Sequence, residues 1–125
     1  VGDAERTLLA ANQAFYDAFE ARDLDAMAAV WEQSERATCT HPGWPALRGW
    51  PAVAMSWKAI LGGPRPEQFI LTDVAAHVAG DAGWVTLDEN LVEGASTVSA
   101  VNVFVRAGDA WRMVAHHASP VLRGG

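Results

Sequence analysis

A chain of 125 residues, half of them hydrophobic, is long enough to bury a core without disulfide staples, and its one cysteine excludes an intrachain disulfide. A formal net charge of -6, with no clustered Lys or Arg, argues against a nucleic-acid surface, where cations must displace phosphate counterions. No apolar run reaches the roughly 20 residues that span a bilayer, and no leader segment precedes the first periodic stretch, so a cytoplasmic location is expected.

Leu8, Ala11, Phe15 and Phe19 recur at steps of three and four residues, which predicts a first helix with Asp3 as its N-cap. Asp23 is placed to cap a second, shorter helix whose apolar stripe is Leu24, Met27, Ala28 and Trp31. A strand through Cys39 then runs into the turn His41-Pro42-Gly43. Trp50-Pro51 sets proline in the first turn of a third helix, along which Val53, Trp57, Ile60 and Leu61 repeat, and Gly62-Gly63-Pro64 ends it. From Pro66 onward the pattern changes to strands: residues 69–78, 84–92, 97–106 and 111–119, separated by turn signals at Gly80-Asp81, Glu93-Gly94 and Gly108-Asp109. Helices grouped first and closely linked strands afterward predict an α+β fold, three N-terminal helices on one face of a mainly antiparallel sheet, in a single domain over 1–125. In 69–78 and 97–106 apolar residues stand at both odd and even positions, so both faces of the sheet are expected to be covered, one by helices and the other by a second copy in a homodimer.

This order of elements resembles the SnoaL-like branch of the nuclear-transport-factor-2-like superfamily, a group that includes ketosteroid isomerase-like and scytalone dehydratase-like proteins. The resemblance is carried by Phe15-Tyr16, Asp23, Met27, Trp31, the segment from Cys39 to Trp44, Gly49, Trp57, Trp84-Val85, Glu89, Asn102-Val103-Phe104, and the ending Trp111-Arg112-Met113-Val114 through His116-His117 to Ser119-Pro120. It covers nearly the whole chain and implies a strongly curved sheet that forms a cone-shaped pocket with the helices. The superfamily includes isomerases, dehydratases, polyketide cyclases and epoxide hydrolases, along with members that only bind ligands or assemble complexes. Fold does not choose among these, so the site must.

No dinucleotide-binding glycine motif, P-loop, Cys-x-x-Cys pair or nucleophile elbow is present, and Lys58, beside Trp57, is the only lysine; no cofactor is expected. Strand alternation sends Trp84, Thr86, Asp88 and Asn90 one way and Val85, Leu87, Glu89 and Leu91 the other, which leaves Glu89 as a carboxylate on an apolar face. Such a group has its charged form disfavoured and suits general acid–base work, although a solvated or arginine-paired carboxylate is the ordinary alternative. Pairing across the Gly108-Asp109 turn sets Asn102 roughly opposite Val114 or Ala115, and the turn near Gly94 brings Asp88 and Glu89 to about the same level.

His117 shares its strand face with Trp111, Met113, Ala115 and Ser119, and His116 shares the other with Arg112 and Val114, so His117 is expected inside and His116 outside. His41 follows Cys39 by two residues and shares its face, with the thiol read as a small buried group. His41, His117 and Glu89 together would make a three-ligand set, but no local ligand spacing supports it, and no metal is expected. Trp44 and Trp50 flank the His-Pro-Gly turn at a pocket mouth, while Trp31, Trp57 and Trp111 fit apolar stripes.

The resulting expectation is an apolar pocket for a small hydrophobic or carbonyl-bearing molecule, walled by Tyr16, Cys39, His41, Trp44 and Trp57. Within it a cofactor-free isomerisation, dehydration or cyclisation would use Glu89 or Asp88 as base and His117 as acid or orienting group, with Asn102 and Tyr16 donating to an oxyanion. The alternative is a non-catalytic ligand-binding or dimeric assembly domain.

Overall fold

The structure is a computed structural model that describes residues 2–64 and 67–122; Pro66, where the sequence changes pattern, lies outside them. Three helices come first, α1 (Asp3–Ala21), α2 (Leu24–Val30) and α3 (Trp50–Leu61). Between α2 and α3 lie two short strands, β1 (Thr38–Thr40) and β2 (Leu47–Arg48), and after α3 come β3 (Phe69–Ala79), β4 (Ala82–Leu91), β5 (Thr97–Ala107) and β6 (Ala110–Pro120). These form one 6-stranded sheet in the order β2-β1-β6-β5-β4-β3. All pairings are antiparallel except β1 with β6, so the α+β expectation holds, with β2 as a strand too short to show in the pattern.

Local chemistry accounts for most boundaries. Asp23 caps α2 by accepting the Ala26 amide at 3.0 Å, and Pro51 opens α3. Asp3 does not cap α1: Gly2 occupies that position without a side-chain bond, and Asp3 sits inside the first turn, paired with Arg6. The two-residue turns Gly80-Asp81 and Gly108-Asp109 each place glycine at positive φ, 61° and 63°, which matches the twist of the strands they join.

Two irregularities set which side chains face the helices. Between Thr72 and Ala75, β3 has two residues opposite Leu87 of β4, and Asp73 takes φ 56° to fit. Between Met113 and Ala115, β6 has Val114 as an extra residue where β5 steps directly from Phe104 to Val103. Each bulge reverses the alternation beyond it and bends the strand. The apolar residues at both odd and even positions of 69–78 therefore reflect a change of phase, with Leu71 inward before the bulge and Ala76 and Val78 after it. Strand β5 keeps one phase throughout: Val98, Ala100, Asn102 and Phe104 are buried, while Val101 on the outer face is 38% exposed.

The core lies between α1, α3 and the inner face of the sheet. Phe15 meets Tyr16, Phe19 and Trp57 edge-to-face, with centroids 4.8, 6.1 and 5.4 Å apart. Phe15, Tyr16 and Trp57 are buried and Phe19 partly so; a fully buried ring contributes roughly 1.5–3 kcal/mol, and together they hold α1 over the strands that carry the polar groups below.

Candidate functional site

A cavity of about 580 Å³ opens at one end of the sheet. Its walls include Phe19, Phe69, Leu91 and Val98, with His41 and Trp44 on one side and Glu89 and His116 among the polar atoms. The His41-Pro42-Gly43 turn closes with the Trp44 amide bonding the His41 carbonyl at 2.9 Å, and it seats the His41 ring 4.9 Å from Trp44 and 4.8 Å from Trp57.

Glu89 is buried on the inner face of β4, as alternation predicts. The Tyr16 hydroxyl, from α1, donates to Glu89 Oε2 at 2.5 Å. Asn102 Nδ2 donates to that hydroxyl at 3.1 Å and to Asn12 Oδ1 at 2.8 Å. Asn102 Oδ1 lies 2.5 Å from His116 Nδ1. A single buried chain thus joins the carboxylate, phenol, amide and imidazole of β4, α1, β5 and β6. Most buried polar groups in folded proteins are satisfied in some such way.

Burial pushes the Glu89 carboxyl up to about 7, against the partial pull of the Tyr16 bond. Tyr16 is raised, by burial and then by the adjacent carboxylate, so its hydroxyl stays protonated. Burial lowers His116 to about 3, with smaller contributions from His41 and His117, and burial alone lowers His41 to about 4. Both imidazoles are neutral at physiological pH. Cys39 is raised to about 12 by burial, so it is an inert thiol, its sulfur 3.5 Å from His41 Nε2.

Several sequence expectations change here. His117 is exposed and His116 is inside, because the extra residue Val114 reverses the alternation of β6; Asn102 pairs with His116 rather than with Val114 or Ala115. Asp88 lies on the opposite face from Glu89 and is not part of the cavity. Asn102 and Tyr16 share the site, but their donors are already committed to protein acceptors, so neither is free for an oxyanion. Cys39, Trp57 and Tyr16 stand in the layer behind the cavity wall, and Trp50 packs on Trp31 at a centroid distance of 6.2 Å instead of at the mouth. With His117 outside, the set His41, His117 and Glu89 is not assembled, and among the described residues no three His, Cys, Asp or Glu side chains cluster as metal ligands.

Asn12 is the site residue that sequence reading missed. It lies four residues before Tyr16, on the apolar stripe of α1, and a polar residue on such a stripe is the signal that marks it.

A profile of the SnoaL-like domain matches residues 8–123. Among solved structures, a Streptomyces avermitilis protein of the NTF2-like family, named as a candidate dehydratase, superposes with a TM-score of 0.88 at 37% identity, over 96% of this chain and 97% of that one. A Thiobacillus denitrificans protein named as a candidate calcium/calmodulin-dependent protein kinase type II association domain gives a TM-score of 0.86 at 39% identity, over 93% and 96%. The F-box protein SKIP8 of Arabidopsis thaliana is 28% identical over 117 residues, 94% of this chain; the chain spans about half, 51%, of that relative's length. With the matching profile running through nearly all of the sheet and helices just described, the chain belongs to the SnoaL-like family.

Proposed function

We propose that residues 1–125 act as one domain that binds a small, largely apolar molecule in this cavity and moves a proton on it without a cofactor, as an isomerase, dehydratase or cyclase does. The observation that carries this reading is Glu89: a carboxyl at a cavity wall whose proton affinity is raised to near neutrality, the condition for a general base at physiological pH. His116 takes the place expected of His117, orienting the bound molecule from the next strand but one. Phe19, Phe69 and Trp44 supply the apolar and aromatic walls usual in small-molecule sites. The single buried, unpaired Cys39 suits a cytoplasmic setting.

A panel of apolar hydroxyketones incubated in D2O with the protein tests this directly. Deuterium should enter at the carbon beside the carbonyl of at least one member, and Glu89→Gln should slow that exchange by about a hundredfold or more. No exchange with any member, or equal exchange by the variant, sinks the catalytic assignment.

The second reading is assembly. The outer face of the sheet carries Trp84, 36% exposed and stacked on His77 at 5.4 Å, beside Val101. An apolar sheet face of this kind suits a homodimer, and one similar structure is named as an association domain. Native mass spectrometry separates the readings: a dimer retaining a small molecule supports ligand binding, while a larger empty assembly supports a scaffold.

A further inference from the structure

The hydrogen-bond chain behind the cavity has a direction, and it follows from Glu89. Above its titration point of about 7 Glu89 is ionised and only accepts, so Tyr16, 2.5 Å away, spends its one proton there. The Tyr16 oxygen must then accept from Asn102, which turns Nδ2 toward Tyr16 and Asn12 and leaves Oδ1 facing His116. That oxygen requires a hydrogen on His116 Nδ1. A neutral imidazole carries only one, so His116 Nε2 holds a lone pair.

His41 reaches the same condition from the other side. The Ser56 hydroxyl donates to the Val53 carbonyl at 2.7 Å, so at 2.9 Å it can only accept from His41 Nε2. The hydrogen of His41 is therefore on Nε2, and Nδ1 holds the lone pair, with the Cys39 thiol sulfur 3.9 Å from it. Glu89 Oε1 has no protein partner among the described residues. Of the described residues that line the cavity none is Lys or Arg, and Glu67 adds a second carboxylate.

We infer that the polar end of this cavity is a surface of hydrogen-bond acceptors, and that its ligand presents an N–H or O–H donor, and no anionic group, to Glu89 and His116. A carboxylate or phosphate set against Glu89 and His116 would meet a carboxylate and a lone pair with no donor on either, a mismatch that binding sites use to reject ligands. A hydroxyl satisfies the acceptors, and an ammonium does so while gaining from the aromatic faces of Phe19, Trp44 and Phe69. This inference rests on the cavity being a small-molecule site.

Three probes with one apolar body test it at pH 8: cyclohexylmethylamine, cyclohexylmethanol and cyclohexanecarboxylate, titrated into the full chain and followed by long-range proton–nitrogen NMR of the imidazoles. In the ligand-free chain, His116 should show its hydrogen on Nδ1 and His41 on Nε2. The amine or the alcohol should bind at least tenfold more tightly than the carboxylate and shift His116 Nε2. An amine advantage assigns an ion pair with Glu89; parity assigns a neutral donor. Glu89→Gln should reduce that preference to less than threefold. The inference is overturned if the carboxylate binds as tightly as the others, or if His116 carries its hydrogen on Nε2. Failure of all three probes to bind, with both tautomers as stated, refutes the small-molecule reading instead and takes the ligand assignment with it.

Discussion

Tyr16 and Glu89, separated by 73 residues, meet in a 2.5 Å hydrogen bond that ties the middle of α1 to the inner face of β4. It is the only hydrogen bond that holds the carboxylate among the described residues, and it opposes the effect of burial on Glu89. Tyr16→Phe should therefore raise the Glu89 titration point above its present value of about 7. The variant should also lose about 1–3 kcal/mol of stability, the usual cost of stranding a buried polar group. Carbon NMR of the glutamate carboxyls across pH 5–9 reads the first effect, and urea unfolding reads the second. A Glu89 titration that stays put or falls would show that the bond does not control the carboxyl.

Stability between about pH 5 and 6 should rise with pH, and the slope should report three groups at once. Glu89 is raised from 4.5 to about 7, so its contribution is present when it is protonated and is lost as pH climbs through that interval. His41 and His116 are lowered from 6.5 to about 4 and about 3, so their contributions are present above 6.5 and are lost as pH falls. The two histidines outweigh the one carboxyl by one proton, which is a slope of about 1.4 kcal/mol per pH unit. Glu89→Gln removes the opposing group and should steepen the slope to about 2.7 kcal/mol per unit. Urea melts at intervals of half a pH unit measure both, and an unchanged slope in the variant would place Glu89 outside a buried environment.

The adjacent histidines should respond unequally to the same substitution. His116→Ala leaves the Asn102 oxygen without its donor, at a cost of about 1–3 kcal/mol. His117→Ala changes an exposed side chain and should stay within about 0.5 kcal/mol. Denaturation at one fixed protein concentration compares them, and equal losses would contradict the assigned facing.

How the alternation runs explains which parts of this site were legible in the sequence. Val85, Leu87 and Glu89 lie on a strand without a bulge, and a period of two is enough to put the carboxylate inside. The capping Asp23, the proline-led α3 and the glycine turns were legible because each depends on neighbours a few residues away. The facing of His116 was not, because Val114 carries no mark of a bulge: it is a β-branched residue that fits either phase, and only its pairing with β5 makes it the extra one. Nor did any local pattern show that Tyr16 would spend its donor on Glu89 and Asn102 its own on Tyr16 and Asn12. That required α1 to be docked over three strands.

The outer face offers a separate test. Val101→Arg places a charge in the middle of the exposed apolar surface beside Trp84 and should turn a dimer into a monomer in sedimentation velocity, while the buried residues of the cavity are untouched. A variant that sediments like the parent would move any assembly to another surface.

A single residue inserted in a strand acts on side-chain direction as a one-base insertion acts on a reading frame: the backbone runs on, and everything beyond is read on the other side. In β6 that shift falls just before a doubled histidine, so this strand presents an imidazole inward in either frame. What the extra Val114 selects is which of two identical rings is anchored by Asn102 and which is left to the outside. Relatives aligned on their histidines alone would then match by name residues that face opposite ways, and only the count of residues between Phe104's partner and the doublet tells them apart.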